Sequence, residues 1–159
     1  MQPLGVNLLE SEAVAAMLRS DRAEWEALVA VLEAHPDRSL HDAGSPPWAS
    51  HDVYAPLARW IGRSTDEMEA RLAGRTLPPL EGADDEIKAR WQQEDRGLTF
   101  AEARHRAELA FERRLRAIES VPAERWEPVL DAIARADGAE HYANHRSYVA
   151  VAQTEGGAP

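Results

Sequence analysis

The sequence predicts an all-α fold, a single up-and-down four-helix bundle. Alanine, glutamate, arginine and leucine dominate the composition while only 6% of residues are aromatic, and this balance favours helix over sheet. Four long segments repeat apolar residues every three or four positions, as amphipathic helices do. A chain of 159 residues is long enough for one domain with a packed core.

The first two long helices are predicted at 11–34, ahead of His35-Pro36, and at 50–73, ahead of Gly74. Residues at three- and four-residue spacing give each helix one apolar face. The core faces are Val14, Leu18, Trp25, Leu28 and Leu32 in the first helix, and Val53, Leu57, Trp60, Ile61, Met68 and Leu72 in the second.

Two residues interrupt these patterns. Asp21 falls within the first apolar stripe, either turned into the interior or, as is more usual for a carboxylate, in water at the stripe edge. Pro56 lies inside the second helix, where its nitrogen cannot bond the Asp52 carbonyl. We therefore expect the second helix to bend or open locally at Pro56.

The connection over 76–83 contains two prolines and a glycine and is long enough to cross one end of a bundle. A short helix is predicted after it, at 84–95. Thr99 and Glu102 then form a capping box that starts the third long helix. The core face of that helix is Phe100, Ala103, Ala107, Phe111, Leu115 and Ile118.

Val121-Pro122 ends the third long helix, and a short amphipathic segment is predicted at 124–134. The last long helix is predicted at 138–152. Residues 1–152 are therefore expected to form one domain, followed by a flexible tail at 153–159.

Charge and composition narrow the partners and the location. A net charge of −10 repels nucleic acid and anionic membrane surfaces, and the basic pair Arg113-Arg114 is interleaved with glutamates as on a solvated helix face. The chain has no cysteine and no segment resembling a signal peptide or a membrane span, so the expected location is the cytoplasm.

The segment 140–148, EHYANHRSY, carries the most chemistry. His141 and His145 are one helical turn apart on one face, so both imidazoles can reach one metal ion or flank one substrate. Tyr148 continues the same face seven residues after His141. We expect these three side chains to point into the bundle, together with Tyr54 from the second helix.

The stretches 48–60, WASHDVYAPLARW, and 141–145, HYANH, resemble the DinB-like superfamily of four-helix bundles. That superfamily includes YfiT-like hydrolases and mycothiol-dependent maleylpyruvate isomerases. The resemblance implies a small-molecule enzyme with a facial metal triad formed by one histidine of the second helix and two of the last. His141 and His145 match the last two positions.

Pro56 stands where the resemblance implies the third histidine, and proline has no donor atom for a metal. Asp52 is the better substitute, since it lies about 40° from position 56 around the helix axis, whereas His51 lies about 140° away. Asp52 is nevertheless better explained as an acidic residue of the helix first turn than as a ligand. Zinc or nickel is thus expected to bind weakly to His141, His145 and Asp52, or not at all.

The leading functional hypothesis is a DinB-like enzyme for detoxification, thiol-linked transfer or hydrolysis, similar to the ClbS/DfsB branch. His141 and His145, with Tyr148, are its expected catalytic residues, acting through a metal-bound water or as metal-free acid and base. The alternative is a non-catalytic bundle that binds a small ligand or a second copy of itself as a homodimer.

Overall fold

The computed structural model describes residues 4–34 and 50–155, with side chains described for 11–34 and 50–149. Every regular element in these ranges is helical. The helices are α1 (Leu4–Ala34), α2 (Ser50–Leu72), α3 (Asp84–Asp95), α4 (Phe100–Glu119), a 3₁₀ turn (Ala123–Arg125), α5 (Pro128–Ala136) and α6 (Ala139–Glu155). The all-α prediction is confirmed.

The element boundaries follow the local signals closely. The Thr99 hydroxyl accepts a hydrogen bond from the Glu102 N–H, and the Glu102 carboxylate accepts one from the Thr99 N–H, so the predicted capping box starts α4. Gly74, at a φ of 71°, follows the end of α2. α1 begins earlier than predicted, at Leu4, and α6 continues to Glu155, three residues into the predicted tail.

Contacts between the long helices define their directions. The C-terminal end of α1 lies beside the N-terminal end of α2, where the Ser50 hydroxyl donates a hydrogen bond to the Leu32 carbonyl at 3.2 Å. α2 and α4 run parallel: the rings of Tyr54 and Phe100 meet near their starts at 5.7 Å, and Arg113 reaches Asp66 near their ends. The expected alternation of directions is therefore wrong for α2 and α4. The long connection that contains α3 carries the chain back to the other end before α4 starts.

The core lies between the four long helices. Buried residues of α1, α2, α4 and α6 form one cluster around a parallel stack of Trp25 and Phe111, whose ring centroids are 4.5 Å apart. A second cluster under α5 contains Met17, Met68, Ile118 and Leu130. Packing of apolar faces thus follows the predicted stripes in α1, α2 and α4.

Pro56 lies inside α2, which runs without interruption from Ser50 to Leu72. The predicted start of α2 is confirmed, and the bend at Pro56 stays a prediction. No helix in the described ranges is long and apolar enough to cross a membrane.

Candidate functional site

The two candidate histidines lie side by side on α6. Their Nε2 atoms are 3.0 Å apart, and their rings stack with centroids 4.8 Å apart. Both side chains are partly buried. Spacing of one helical turn has brought the two imidazoles together, as the sequence predicts.

Asp137, at the junction of α5 and α6, orients this pair. Its Oδ1 lies 2.9 Å from His141 Nδ1, and its Oδ2 accepts a hydrogen bond from the Ser64 hydroxyl of α2. An ionised carboxylate only accepts hydrogen bonds, so the His141 proton is held on Nδ1. Ser64, Asp137, His141 and His145 form a continuous hydrogen-bonded chain, called the histidine row below.

The position of this proton determines the rest of the row. With Nδ1 protonated, neutral His141 presents the lone pair of Nε2 to its neighbour. His145 therefore donates from its own Nε2, and its Nδ1 keeps a lone pair. The row ends on a nitrogen that is able to accept a proton.

Burial lowers the pKa of His145 to about 4, and repulsion from His141, whenever that ring is protonated, and from Lys88 on α3 adds to this effect. His145 is consequently neutral at neutral pH. A positive charge on the row is better placed on His141, because that ring is next to the Asp137 carboxylate.

A buried ion pair lies against the junction between α5 and α6 on its core side. Asp21 Oδ2 lies 2.9 Å from Arg114 Nη2, and the two side chains are 2% and 1% exposed. Asp21 Oδ1 accepts the N–H of Ala139 at 2.8 Å, while Arg114 also donates to the Ala134 carbonyl. One ion pair therefore joins α1 and α4 to the end of α5 and the start of α6; it is called the junction pair below.

The junction pair corrects two sequence expectations. The favoured placement of Asp21 in water is wrong, and so is the placement of Arg114 on a solvated face. Both charges are tolerated inside because they neutralise each other and bond to backbone groups at helix ends. Arg113 does lie at the surface, 2.7 Å from both Asp66 and Glu69.

Gly138 makes the junction pair sterically possible. A Cβ atom at position 138 would lie 2.6 Å from Arg114 Nη2 and 2.7 Å from Asp21 Oδ1. Real Cβ atoms do not approach other atoms that closely, and neither partner is free to move away. A side chain at position 138 would therefore displace the junction pair.

Tyr142 closes the inner side of the row. Its ring is fully buried and meets Trp25 edge-on at 5.4 Å and Phe111 at 5.9 Å. Burial raises the pKa of Tyr142 well above its usual range. Within the described residues its hydroxyl has no hydrogen-bond partner, and such buried groups are uncommon.

The other predicted site residues lie elsewhere. Tyr148 is 47% exposed, because α6 presents Tyr142 and Val149 to the core instead. The buried Tyr54 donates its hydroxyl proton to Glu33 at 3.0 Å, near the start of α2. Burial, the charge of Glu33 and this hydrogen bond raise the pKa of Tyr54 far above its usual range.

Asp52, the expected substitute ligand, lies in the first turn of α2, with its Oδ1 3.1 Å from His51 Nε2. Within the described residues, no three histidine or acidic side chains are grouped so that they would hold a metal ion. Asp52 is thus not brought to His141 and His145. Catalytic zinc usually has three protein ligands, so the two Nε2 atoms of the histidine row do not fit the triad that the resemblance implies.

Sequence reasoning missed Asp137, Ser64 and Tyr142. Asp137 was detectable, since it precedes His141 by the same four residues that separate His141 from His145. Ser64 gave no signal, because it reaches Asp137 from 73 positions away on another helix. Tyr142 lies on a different face of α6 from Tyr148, and the sequence pattern predicts the Tyr148 face as the inner one.

Comparison with known proteins adds no further assignment: no protein-family profile, no curated protein and no solved structure matches this chain.

Proposed function

We propose that this chain is a small-molecule enzyme with a DinB-like four-helix bundle, in which the histidine row moves a proton without a metal. The observation that carries the proposal is the unbroken contact from Asp137 through His141 to His145. A base oriented by a carboxylate and aimed at a second group within hydrogen-bond distance is the usual arrangement of acid–base sites.

The two rings of the row have different roles: His145 exchanges a proton with the substrate, and His141 holds the resulting positive charge. His145 Nδ1 accepts a proton from a substrate water, hydroxyl or thiol as the Nε2 proton of His145 passes to His141 Nε2. The positive charge then rests on His141, next to the Asp137 carboxylate. His145 never has to hold the charge, so its low pKa is compatible with relaying a proton at neutral pH.

Substrate chemistry follows from what such a relay supplies. Removing a proton from water or a thiol generates a nucleophile, and returning the proton assists a leaving group. Hydrolysis or thiol-linked transfer of a reactive small molecule, as in detoxification, therefore suits this site best. The DinB-like resemblance of 48–60 and 141–145 supports the same class of reaction.

The proposal is tested with an activated ester, p-nitrophenyl acetate, hydrolysed by protein that was purified without an affinity tag and dialysed against chelator. The variants are His141→Gln and His145→Gln. His105→Gln is the matched control, because His105 is an exposed histidine of α4. We expect each variant of the row to lose at least about tenfold in rate, and the control to retain it.

Equal rates for the wild type and all three variants would overturn the acid–base proposal and favour the non-catalytic, ligand-binding bundle. Activity that disappears with chelator, together with stoichiometric zinc or nickel before dialysis, would instead establish a metal-dependent site. Elemental analysis of the same samples separates these two results.

A further inference from the structure

A cavity of about 350 Å³ lies at the other end of α5 from the histidine row. It is lined by the C-terminal end of α2, the residues that follow it, and the start of α5. The lining includes Arg71, Leu72, Arg75, Arg125, Glu127 and Leu130. The cavity volume is in the lower part of the range found for small-molecule sites.

Charge is distributed unevenly in this cavity. Three arginines and one glutamate contribute to the lining, so two positive charges remain in excess. The whole chain, by contrast, has a net charge of −10. The overall field of the chain repels anions. Binding of an anion at this cavity would therefore depend on the local arginines.

Glu127 does not neutralise all three arginines, because both of its carboxylate oxygens already accept hydrogen bonds, from Arg71 and from backbone N–H groups. One oxygen accepts from Arg71 Nε at 2.5 Å and from the Leu130 N–H, and the other accepts from the Val129 N–H. These bonds lower the pKa of Glu127. The carboxylate therefore caps α5 and fixes Arg71, and it leaves two arginines uncompensated.

Arg125 and Arg75 are the two remaining cations. Arg125 is held in place by a hydrogen bond from Nη2 to the Leu72 carbonyl at 2.9 Å. Arg75 is positioned through its backbone, because its N–H bonds the Ala70 carbonyl at 2.8 Å beyond Gly74. Within the described part of the chain, the Arg75 guanidinium makes no hydrogen bond or ion pair.

From this arrangement we infer a binding site for a small organic anion. Its carboxylate or phosphate group is bound by Arg75 and Arg125, and a short apolar part lies against Leu72 and Leu130. Guanidinium groups match both kinds of anion with paired N–H donors. The site is separate from the histidine row, and its assignment does not depend on the proposed catalysis.

The test is isothermal titration of the intact protein with phenyl phosphate at low chloride concentration. Arg75→Gln removes the cation without a side-chain partner, and Arg96→Gln removes an exposed arginine at the end of α3 as a matched control. We expect one molecule of phenyl phosphate to bind per chain. Arg75→Gln should weaken binding about tenfold, and Arg96→Gln by less than twofold.

Two further measurements locate the site. Amide chemical shifts should change on addition of phenyl phosphate at 71–76 and 125–130, and phenol, which has no charge, should not bind. Equal effects of Arg75→Gln and Arg96→Gln, or shift changes confined to other parts of the chain, would overturn the inference. Equal melting temperatures of the variants and the wild type ensure that the comparison reports binding.

Discussion

Two polar networks meet where α5 joins α6, and they differ in burial and in the groups to which they bond. The junction pair, Asp21 and Arg114, is almost completely buried and bonds to the backbone at Ala134 and Ala139. The histidine row starts at Asp137, one residue before Gly138, and leads outward to partly buried rings.

The difference separates residues that we expect to determine stability from residues that we expect to carry the proposed chemistry. A buried ion pair is expensive to break, because the remaining charge loses its partner in a medium that solvates it poorly. Neutral imidazoles that are partly exposed tolerate change more easily. We therefore expect substitutions in the junction pair to affect folding, and substitutions in the histidine row to affect activity.

The largest effect is expected for Arg114→Met, which leaves the Asp21 carboxylate buried without its cation. The free energy of unfolding should fall by about 3 to 5 kcal/mol. Urea denaturation followed by circular dichroism measures the loss. The matched control is Arg113→Met, one position earlier, which removes two surface ion pairs, to Asp66 and Glu69, and should cost only about 1 kcal/mol.

Adding Asp21→Asn to Arg114→Met sharpens the same comparison. The second change removes the buried charge but keeps an oxygen that can accept the Ala139 N–H. We expect the double variant to be more stable than Arg114→Met alone. A double variant as unstable as the sum of its parts would show that Asp21 and Arg114 act independently.

The next effect concerns pH and His145. Its folded pKa of about 4 is lower than the usual value of about 6.5 in an unfolded chain, so the unfolded state binds more protons between these values. Stability should therefore be complete above about pH 6.5 and be lost as the pH falls towards 4, by on the order of 2 kcal/mol. His145→Gln, which cannot titrate, should remove this part of the pH dependence. Identical pH profiles for both proteins would contradict the burial of His145.

Gly138→Ala is expected to have a smaller effect than Arg114→Met. The new Cβ pushes against Asp21 and Arg114, and overpacking of this kind costs about 1 to 3 kcal/mol. Gly62→Ala is the control, since nothing lies within 4 Å of a Cβ at that helical position, and it should stabilise by up to about 1 kcal/mol. Equal melting temperatures for the two variants would show that the junction has room to relax.

The smallest effect on stability is expected for the double variant His141→Gln/His145→Gln. Both rings are partly exposed and neither fills the centre of the core, so the loss should be below about 1.5 kcal/mol. A loss as large as that of Arg114→Met would mean that the row is structural. The assignment of stability to the junction pair and of activity to the histidine row would then be wrong.

Much of the fold could be predicted from local sequence signals, because helix boundaries depend on residues close in sequence. The capping box at Thr99, the stop at Gly74 and the short helix at 84–95 are all where the pattern places them. The parallel direction of α2 and α4 could not be derived this way. It depends on how the connection over 73–99 crosses the molecule.

The sequence predicted only the part of the candidate site that lies within a single helix. His141 and His145 are neighbours on α6, so their spacing was sufficient to bring them together. The burial of Arg114 depends on Asp21, which is 93 positions away, and each residue alone is typical of a solvated surface. Pairs of charges that are buried together cannot be recognised from either partner by itself.

The central claim, that Asp137 orients a pair of hydrogen-bonded imidazoles, is tested most directly by ¹⁵N nuclear magnetic resonance of the histidine rings at pH 8. The structure predicts hydrogen on Nδ1 of His141 and on Nε2 of His145, and His145 should stay neutral down to about pH 5. Asp137→Asn should change the signals of both rings and leave those of His105 unchanged. Two histidines that titrate independently near the usual histidine pKa, with the same hydrogen positions in the wild type and in Asp137→Asn, would contradict the account.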